Sequence, residues 1–350
     1  MRFPVVLAAL ALAGCSGSEK GSEEAVKQSA SGYLVYATNE RSGDISVIDP
    51  QTAREVKRIA IGRRPRGLVA SPDGRFLYVA VSGSPIAGPG VDEDSLPPPD
   101  KSADGIAVVD LMTGTLIRTL RGVSDPEQIA ISPDGEKLYI ASEDTGQLVI
   151  LSRQGSEIAR LDVGGEPEGV AVSPDGTTAL ATSEEDNSIA VVKEDGVARV
   201  VAHIPVGKRP RNAEFLDART VLVPGETDGS LTLVDLEGGK PVWTLRLDEG
   251  DRPMDLAKGG DGAIYITTGR GGRLLRVGLP AGGGPGAVSG SVAVGQRPWG
   301  LALSPDGTRA FTANGPGNDV AIVDTATMAV VGKVKAGDSP WGVAVVPARR

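Results

Sequence analysis

The stretch that decides the fold reads Arg297-Pro298-Trp299-Gly300-Leu301-Ala302-Leu303-Ser304-Pro305-Asp306-Gly307. Leu301 and Leu303 alternate with smaller neighbours, as expected of a short strand that is buried on both faces. The Ser-Pro-Asp-Gly segment has the chemistry of a tight turn, because Pro presets φ at the second position and Gly accepts the conformation that follows. We therefore expect an inner strand that ends in a turn.

The same phrase recurs along the chain, which makes an internal repeat the main organising feature. Three further copies run from an x-Pro-x segment to Ser-Pro-Asp-Gly; these begin at Arg64-Pro65-Arg66, Asp125-Pro126-Glu127 and Glu166-Pro167-Glu168. Two weaker copies and a last one without its turn begin at Arg209-Pro210-Arg211, Arg252-Pro253-Met254 and Ser339-Pro340-Trp341. Seven units result.

Each unit carries four strand-like runs, and the units are 41 to 45 residues long apart from one that is longer by an insertion at 82–104. Four antiparallel strands per unit of this length are typical of a propeller blade. The repeats start on the second strand of a blade, at Tyr33, and end on a first strand, at Gly342–Val346. We therefore predict an all-β, seven-bladed propeller over residues 33–350, closed by pairing the two ends of the chain in one blade.

Several segments resemble the Tyr-Val-Thr-Asn repeat: Val35-Tyr36-Ala37-Thr38-Asn39, Leu77-Tyr78-Val79-Ala80, Leu138-Tyr139-Ile140-Ala141 and Ile264-Tyr265-Ile266-Thr267-Thr268. The strand ends Val47-Ile48-Asp49 and Ile322-Val323-Asp324 fit the same pattern. The chain thus resembles the YVTN-type propeller family, and this resemblance implies a seven-bladed propeller of the kind found in bacterial envelope proteins. Because many functions share the repeat, the resemblance predicts the fold and hardly the function.

Composition limits the chemistry that the protein can perform. The net charge of −9 argues against non-specific attachment to nucleic acid. With one cysteine, Cys15, and one histidine, His203, the chain can form no intramolecular disulfide and no zinc site built from His and Cys, and we expect no catalytic triad based on His. No Cys-x-x-Cys-His segment is present, so covalent haem is not expected. We expect neither a metal nor a cofactor.

The first fifteen residues have the features of a targeting segment. Arg2 is followed by an apolar run too short to span a bilayer, and Leu12-Ala13-Gly14-Cys15 resembles a bacterial lipobox. This resemblance implies lipidation of Cys15 and membrane attachment. Residues 16–32 are polar and small, as in a flexible tether. Ser16 after the cysteine favours the outer membrane, facing the periplasm, or the cell surface; an ordinary secretory signal is the alternative.

The residues that follow the repeated prolines should surround one mouth of the central channel. From this ring and its neighbours we select as candidate ligand-binding residues Arg66, Glu127, Glu168, Arg211, Trp299, Trp341 and Arg297. Two indoles from adjacent blades, beside Arg66 and Arg297, would hold a planar, anionic or sugar-like ligand by stacking and charge. The alternatives are indoles packed between blades and a rim of salt bridges, in which Glu127 and Glu168 pair with the flanking arginines.

Three other features carry less information. The insertion at 82–104 should emerge at the same mouth, either as a lid or as a disordered loop; a calcium site from Asp92 and Asp94 matches no known loop spacing. His203 and Trp243 fall on predicted outer strands, and we interpret them as surface or packing residues.

Function remains open between three classes at this point. The first hypothesis is a lipid-anchored, monomeric envelope propeller without catalytic activity, which binds a small ligand or an envelope protein at the mouth. The second is a propeller enzyme or accessory subunit, lactonase-like or associated with a quinoprotein oxidoreductase. The third is a structural surface protein, in which the two indoles would be buried.

Overall fold

The computed structural model describes residues 32–86, 95–248 and 250–347. Cys15, nearly all of the predicted tether, and Asp92 and Asp94 of the insertion lie outside the described residues. The described part contains no helix with the length and apolar character needed to cross a lipid bilayer.

Within these described residues, twenty-eight strands make up almost all of the regular structure: β1 (Tyr33–Asn39), β2 (Asp44–Asp49), β3 (Arg54–Ala60), β4 (Leu68–Ala70), β5 (Phe76–Val81), β6 (Gly105–Asp110), β7 (Thr115–Leu120), β8 (Pro126–Ile131), β9 (Lys137–Ser142), β10 (Gln147–Ser152), β11 (Glu157–Asp162), β12 (Pro167–Val172), β13 (Thr178–Ser183), β14 (Ser188–Lys193), β15 (Arg199–Pro205), β16 (Glu214–Phe215), β17 (Thr220–Gly225), β18 (Ser230–Asp235), β19 (Lys240–Arg246), β20 (Pro253–Lys258), β21 (Ile264–Thr268), β22 (Arg273–Gly278), β23 (Ala287–Ala293), β24 (Pro298–Leu303), β25 (Arg309–Asn314), β26 (Asp319–Asp324), β27 (Ala329–Lys335) and β28 (Pro340–Pro347). Short 3₁₀ turns at Lys101–Ala103 and Glu143–Thr145 accompany them.

The strands form seven antiparallel four-stranded sheets arranged as the blades of a propeller. Blade 1 has the order β28-β1-β2-β3, and blades 2 to 7 take four consecutive strands each, from β4–β7 to β24–β27. The first strand of each blade lies innermost and contacts the first strands of both neighbours around the ring. The predicted fold class, blade number and strand order are confirmed.

The ring is closed by hydrogen bonding between the two ends of the chain. Strand β28 pairs with β1 in a register that places Tyr33 opposite Pro347 and Ala37 opposite Val343. Because β28 occupies the innermost position of blade 1, no unpaired sheet edge separates the first and last repeats. The predicted closure is therefore confirmed.

The core is divided into seven apolar clusters, one between each pair of neighbouring blades. Alternation along the second strand explains this division: Val35 packs against blade 7, whereas the adjacent Tyr36 packs against blade 2. The equivalent position of the other second strands is also large and buried, and it is filled by Tyr78, Tyr139, Leu180, Leu222, Tyr265 and Phe311. Each blade thus depends on its neighbours for burial of both faces.

The Ser-Pro-Asp-Gly turns join the first and second strands at the face opposite the mouth. In blade 2 the Asp73 carboxylate accepts the Arg75 amide at 2.9 Å, and the Ser71 hydroxyl accepts the Phe76 amide at 2.9 Å. Gly74 has a φ of 63°, a conformation that costs a glycine least. The polar side chains of the motif therefore satisfy the backbone of the turn itself.

Blade 5 has the most irregular inner strand. Strand β16 contains two residues, and Pro210 reaches the second strand through an isolated bridge to Gly225. Burial raises the pKa of Glu214 in this strand to about 7. The irregularity matches the departure of this unit from the repeat.

Removal of residues 343–350 tests the closure. The truncation deletes the backbone pairs from Val343 to Pro347 and the buried side chains of Val343 and Val346, which are 8% and 3% exposed. Each lost valine costs about 1.5 kcal/mol or more of burial, before the lost hydrogen bonds are counted. We expect thermal unfolding monitored by circular dichroism to shift downward by more than about 10 °C. Deletion of 348–350 alone is the control, and equal melting temperatures for both truncations would contradict the closure.

Candidate functional site: the channel mouth

The mouth is built by a backbone device that recurs in most blades. The residue before the repeated proline takes a positive φ in six blades: 44° at Arg64, 42° at Asp125, 46° at Glu166, 57° at Arg209, 49° at Arg297 and 60° at Ser339. In four of these blades its carbonyl accepts the amide of the first residue after the second strand, as Asp125 accepts from Glu143 at 3.2 Å and Arg209 accepts from Glu226 at 3.0 Å. These hydrogen bonds bring the segment before the repeated proline and the end of the second strand together at the mouth.

The glycine of the Pro-x-Gly segments is required because neighbouring inner strands approach closely. A Cβ on Gly169 would lie 2.4 Å from the Arg211 carbonyl oxygen, and one on Gly342 would lie 2.7 Å from the Arg66 carbonyl oxygen. A threonine of the second strand reinforces this contact: Thr38 donates to the Arg66 carbonyl at 2.7 Å. Mouth residues of adjacent blades are therefore held in fixed relative positions.

Arg66 lies in a buried ion-pair cluster, here called the Arg66 network, formed with Arg64, Asp125, Glu127 and Glu143. Its guanidinium pairs with Asp125 and Glu127, lies 3.6 Å from Glu143, and donates to the Pro126 carbonyl at 2.9 Å. Burial opposes ionisation of Asp125, yet Arg66 and Arg64 hold its pKa at about 2. Burial raises the pKa of Glu143 to about 8, so this group is largely protonated at neutral pH.

The three carboxyl groups of this network have the spacing of a metal site, since one oxygen from each of Asp125, Glu127 and Glu143 lies within 4.8 Å of the others. The guanidinium of Arg66, with 1% of the residue exposed, already supplies a positive charge among them. A divalent cation at this position would have to displace the buried arginine. We therefore interpret the cluster as an ion-pair network.

Arg211 organises a second cluster, the Arg211 network, with Arg209, Glu168, Glu184 and Glu226. Its guanidinium pairs with Glu168, with Glu184 at 3.0 Å and with Glu226 at 2.7 Å, and these three carboxylates raise its pKa against the effect of burial. Burial and the neighbouring Glu168 raise the pKa of Glu184 to about 9. Burial opposes the ionisation of Glu226, yet Arg211 and Arg209 lower its pKa. Two carboxyl groups on one arginine therefore differ in protonation.

Trp299 and Trp341 stack on each other at the mouth, with ring centroids 5.7 Å apart and planes inclined by 20°. The guanidinium carbons of Arg297 and Arg211 lie 5.0 and 5.5 Å from the Trp299 ring centroid, within cation–π range. Trp341 is buried and Trp299 half-buried. The predicted indole pair therefore exists, and Arg297 and Arg211 accompany it, whereas the side chain of Arg66 is directed into its own network.

A small cavity lies beneath the indoles. A cavity of about 20 Å³ lies between Trp299, Trp341, Met254, Asp255 and residues of the adjacent blades. Asp255 fills the space left where blade 6 lacks the repeat glycine; it accepts the Leu301 amide at 2.8 Å and an Asn212 amide hydrogen at 2.6 Å. Burial raises its pKa to about 6. This cavity is too small for a ligand, so a ligand that contacts the indoles would lie outside it.

Two open pockets flank the mouth. One, of about 590 Å³, is walled by Arg209, Arg211, Arg252, Arg270 and Arg297, and we call it the arginine pocket. The other, of about 580 Å³, is acidic and is lined by Asp125, Glu143, Asp144, Glu166 and Glu185 together with Leu96–Pro99 of the insertion. The described residues of the insertion thus line a pocket beside the mouth.

Sequence reasoning missed a set of four glutamates at the mouth. The first residue after the second strand is glutamate in four blades, namely Glu40, Glu143, Glu184 and Glu226. The signal was available, because each follows a second strand directly, but nothing in the repeat showed that this position faces the mouth. The salt-bridged rim that was the alternative for Glu127 and Glu168 is present. His203 is exposed on β15, and Trp243 is half-buried on β19, both on outer strands as predicted.

Comparisons with known proteins show the fold more clearly than the family. No family model matches the chain. Antigen Lp49 of Leptospira interrogans is 30% identical over 138 residues, which cover 31% of this chain and 30% of that protein, so the chain spans less than a third of the length of this curated relative. The YVTN-type family therefore stays a prediction.

Three solved structures resemble the whole propeller. A functionally unknown protein of Desulfotomaculum acetoxidans has a TM-score of 0.75 at 15% identity, covering 90% of this chain and 99% of its own. A Bacteroides uniformis protein provisionally assigned as a 6-phosphogluconolactonase gives 0.72 at 16%, with 90% and 99% covered. The periplasmic gluconolactonase PpgL of Pseudomonas aeruginosa gives 0.71 at 19%, with 91% and 99% covered. At these identities the likeness establishes the fold alone.

The raised pKa of Glu184 predicts a pH dependence of stability. Between the usual carboxyl pKa of about 4.3 and about 9 the folded state binds more protons at this site than the unfolded state, so the free energy of unfolding falls as pH rises. The slope is at most about 1.4 kcal/mol per pH unit. We expect Glu184→Gln to flatten the decline in melting temperature between pH 6 and 9. The exposed Glu185→Gln is the matched control, and identical pH profiles for both variants would contradict the assignment.

Proposed function

We propose that this protein binds a small ligand at the channel mouth, and that it does so as a lipid-anchored propeller of the cell envelope. The observation that carries the proposal is the stacked pair of Trp299 and Trp341 beside an open pocket walled by arginines. Aromatic faces and guanidinium groups bind planar, sugar-like and anionic ligands by stacking, cation–π contact and charge. The lipobox resemblance at Cys15 supports the envelope assignment.

The rigid ring suits a binding role. Ion pairs, cross-blade hydrogen bonds and close backbone contacts fix much of the mouth before a ligand arrives, and such preorganisation lowers the entropic cost of binding. The cavity below the indoles is too small for a ligand, and the open volume lies beside them. A rim-bound ligand would therefore contact the indole pair from above and the arginine pocket from the side.

Tryptophan fluorescence tests the proposal. In the full-length protein with Trp243→Phe, emission arises from Trp299 and Trp341 alone. We expect at least one of D-glucose, D-gluconate, benzoate and a soluble ubiquinone analogue to change this emission saturably. Trp299→Ala and Trp341→Ala should each raise the dissociation constant derived from this emission change at least tenfold. The wild type should give the same dissociation constant as the Trp243→Phe protein. Unchanged emission with all four compounds would argue against a small-ligand site at the indoles.

Lactone hydrolysis is the second candidate, favoured by the similar structures described as lactonases and by the paired carboxyl groups on Arg211. Two carboxyl groups whose environments push their pKa values apart suit acid–base catalysis. Water would add to the lactone carbonyl and give its proton to Glu226 as the base. The bond to the ring oxygen would then break, Glu184 would protonate that oxygen, and the proton on Glu226 would return to Glu184 through solvent.

Hydrolysis of D-glucono-1,5-lactone at pH 6.5 tests this second candidate, measured against the spontaneous rate. If it holds, the protein accelerates hydrolysis, and Glu184→Gln and Glu226→Gln each lower the enzymatic rate at least a hundredfold. Glu185→Gln, exposed in the acidic pocket, should retain the wild-type rate. A rate equal to that of buffer would remove lactone hydrolysis and leave ligand binding in place.

A further inference from the structure

The arginine pocket is unusual in its balance of charge. Among the described residues that line it, five are arginines and Glu226 is the acidic one. Glu226 is already engaged, since its carboxylate lies 2.7 Å from Arg211, 3.6 Å from Arg209 and 3.4 Å from Arg252. One carboxylate shared by three arginines cannot neutralise the remaining two.

Arg209 and Arg211 have additional carboxyl partners in the Arg211 network. Both pair with Glu184, and Arg211 also pairs with Glu168. The three other arginines of the pocket differ. Arg252 has its long contact with Glu226, and Arg270 and Arg297 have no ion pair within the described part of the chain. Arg252, Arg270 and Arg297 thus form a cationic wall without a matching set of protein anions.

Arg297 is the residue whose placement most needs an explanation. It is half-buried, its backbone has a φ of 49°, and its guanidinium lies over the Trp299 ring. Burial lowers its pKa; the charges of Arg211 and Arg209 act in the same direction, and those of Glu226 and Glu40 act against it. Partial burial of a charge without a carboxylate in ion-pair contact is unfavourable, and an anion that enters the pocket reduces this penalty.

We infer that Arg252, Arg270 and Arg297 form a binding site for an oxyanion group, a carboxylate or a phosphate, carried by the ligand. This inference rests on the proposed function, because the indole pair beside Arg297 would contact the body of the same ligand. Guanidinium groups bind both oxyanions through paired N–H donors. Arg211 and Met254 line both the arginine pocket and the cavity below the indoles, so the two subsites adjoin.

The experiment uses inorganic phosphate and acetate as probes, titrated separately into the full-length protein by calorimetry at pH 7 and low ionic strength. We expect at least one probe to bind with a millimolar dissociation constant. Arg270→Gln and Arg297→Gln should each raise that constant about tenfold, the equivalent of about 1.4 kcal/mol. Arg219→Gln is the matched control, because Arg219 is exposed and paired with Glu237 in turns of the opposite face, and it should change the constant less than twofold.

The outcomes separate the anion site from the proposed function. Binding of phosphate alone identifies a phosphate group on the ligand, and binding of acetate alone identifies a carboxylate. Absence of binding by both probes, or equal weakening in Arg219→Gln and Arg270→Gln, overturns the anion site. If D-glucose then still changes the tryptophan emission, ligand binding at the indoles stands without it. Arg270 is exposed, so its variant should fold, and unchanged circular dichroism verifies this.

Discussion

Hydrogen bonding between β28 and β1 is the constraint on which the rest of the molecule depends. Each blade buries its two faces against its neighbours, so a ring that failed to close would leave two apolar sheet faces in water. The closing strand also carries Trp341 at its start and thereby brings it into the stack with Trp299. The last strand of the chain, β28, therefore completes both the core and the indole pair.

Closure has a second consequence, because it brings neighbouring inner strands into close contact around the ring. The backbones meet across Pro-x-Gly segments, and Gln128, Asn212 and Asp255 stand at the places where a side chain replaces glycine. The candidate binding residues and the open pockets lie at the mouth. There the charges separate into an acidic pocket beside the Arg66 network and a cationic pocket beside Arg297, so the face is polarised although the net charge of the chain is −9.

The sequence predicted the fold in detail because the repeat records it seven times. The repeats were predicted to start on a second strand at Tyr33, and β1, the second strand of blade 1, begins at this residue. Single side chains were harder to place. Arg66 and Arg211 occupy equivalent positions, yet one guanidinium is enclosed by carboxylates and the other also contacts Trp299. The contacts of such side chains depend on the neighbouring blade, which a linear repeat does not show. For the same reason Arg252 and Arg270 were not selected as candidate residues from the sequence.

The position after the repeated proline separates structural from functional demands. The proline itself is present in all seven units, so the fold requires it, whereas the next residue changes from arginine to glutamate, methionine and tryptophan. Part of this variation is internal to the fold, since Arg66 pairs with Glu127 and Arg211 with Glu168 across adjoining blades. Trp299 and Trp341 belong to no such pair, and the pocket beside them holds arginines whose charge the described chain does not balance. Arginine charge that no internal ion pair balances is concentrated on one side of the mouth, which is the arrangement expected where an external ligand supplies the missing partner.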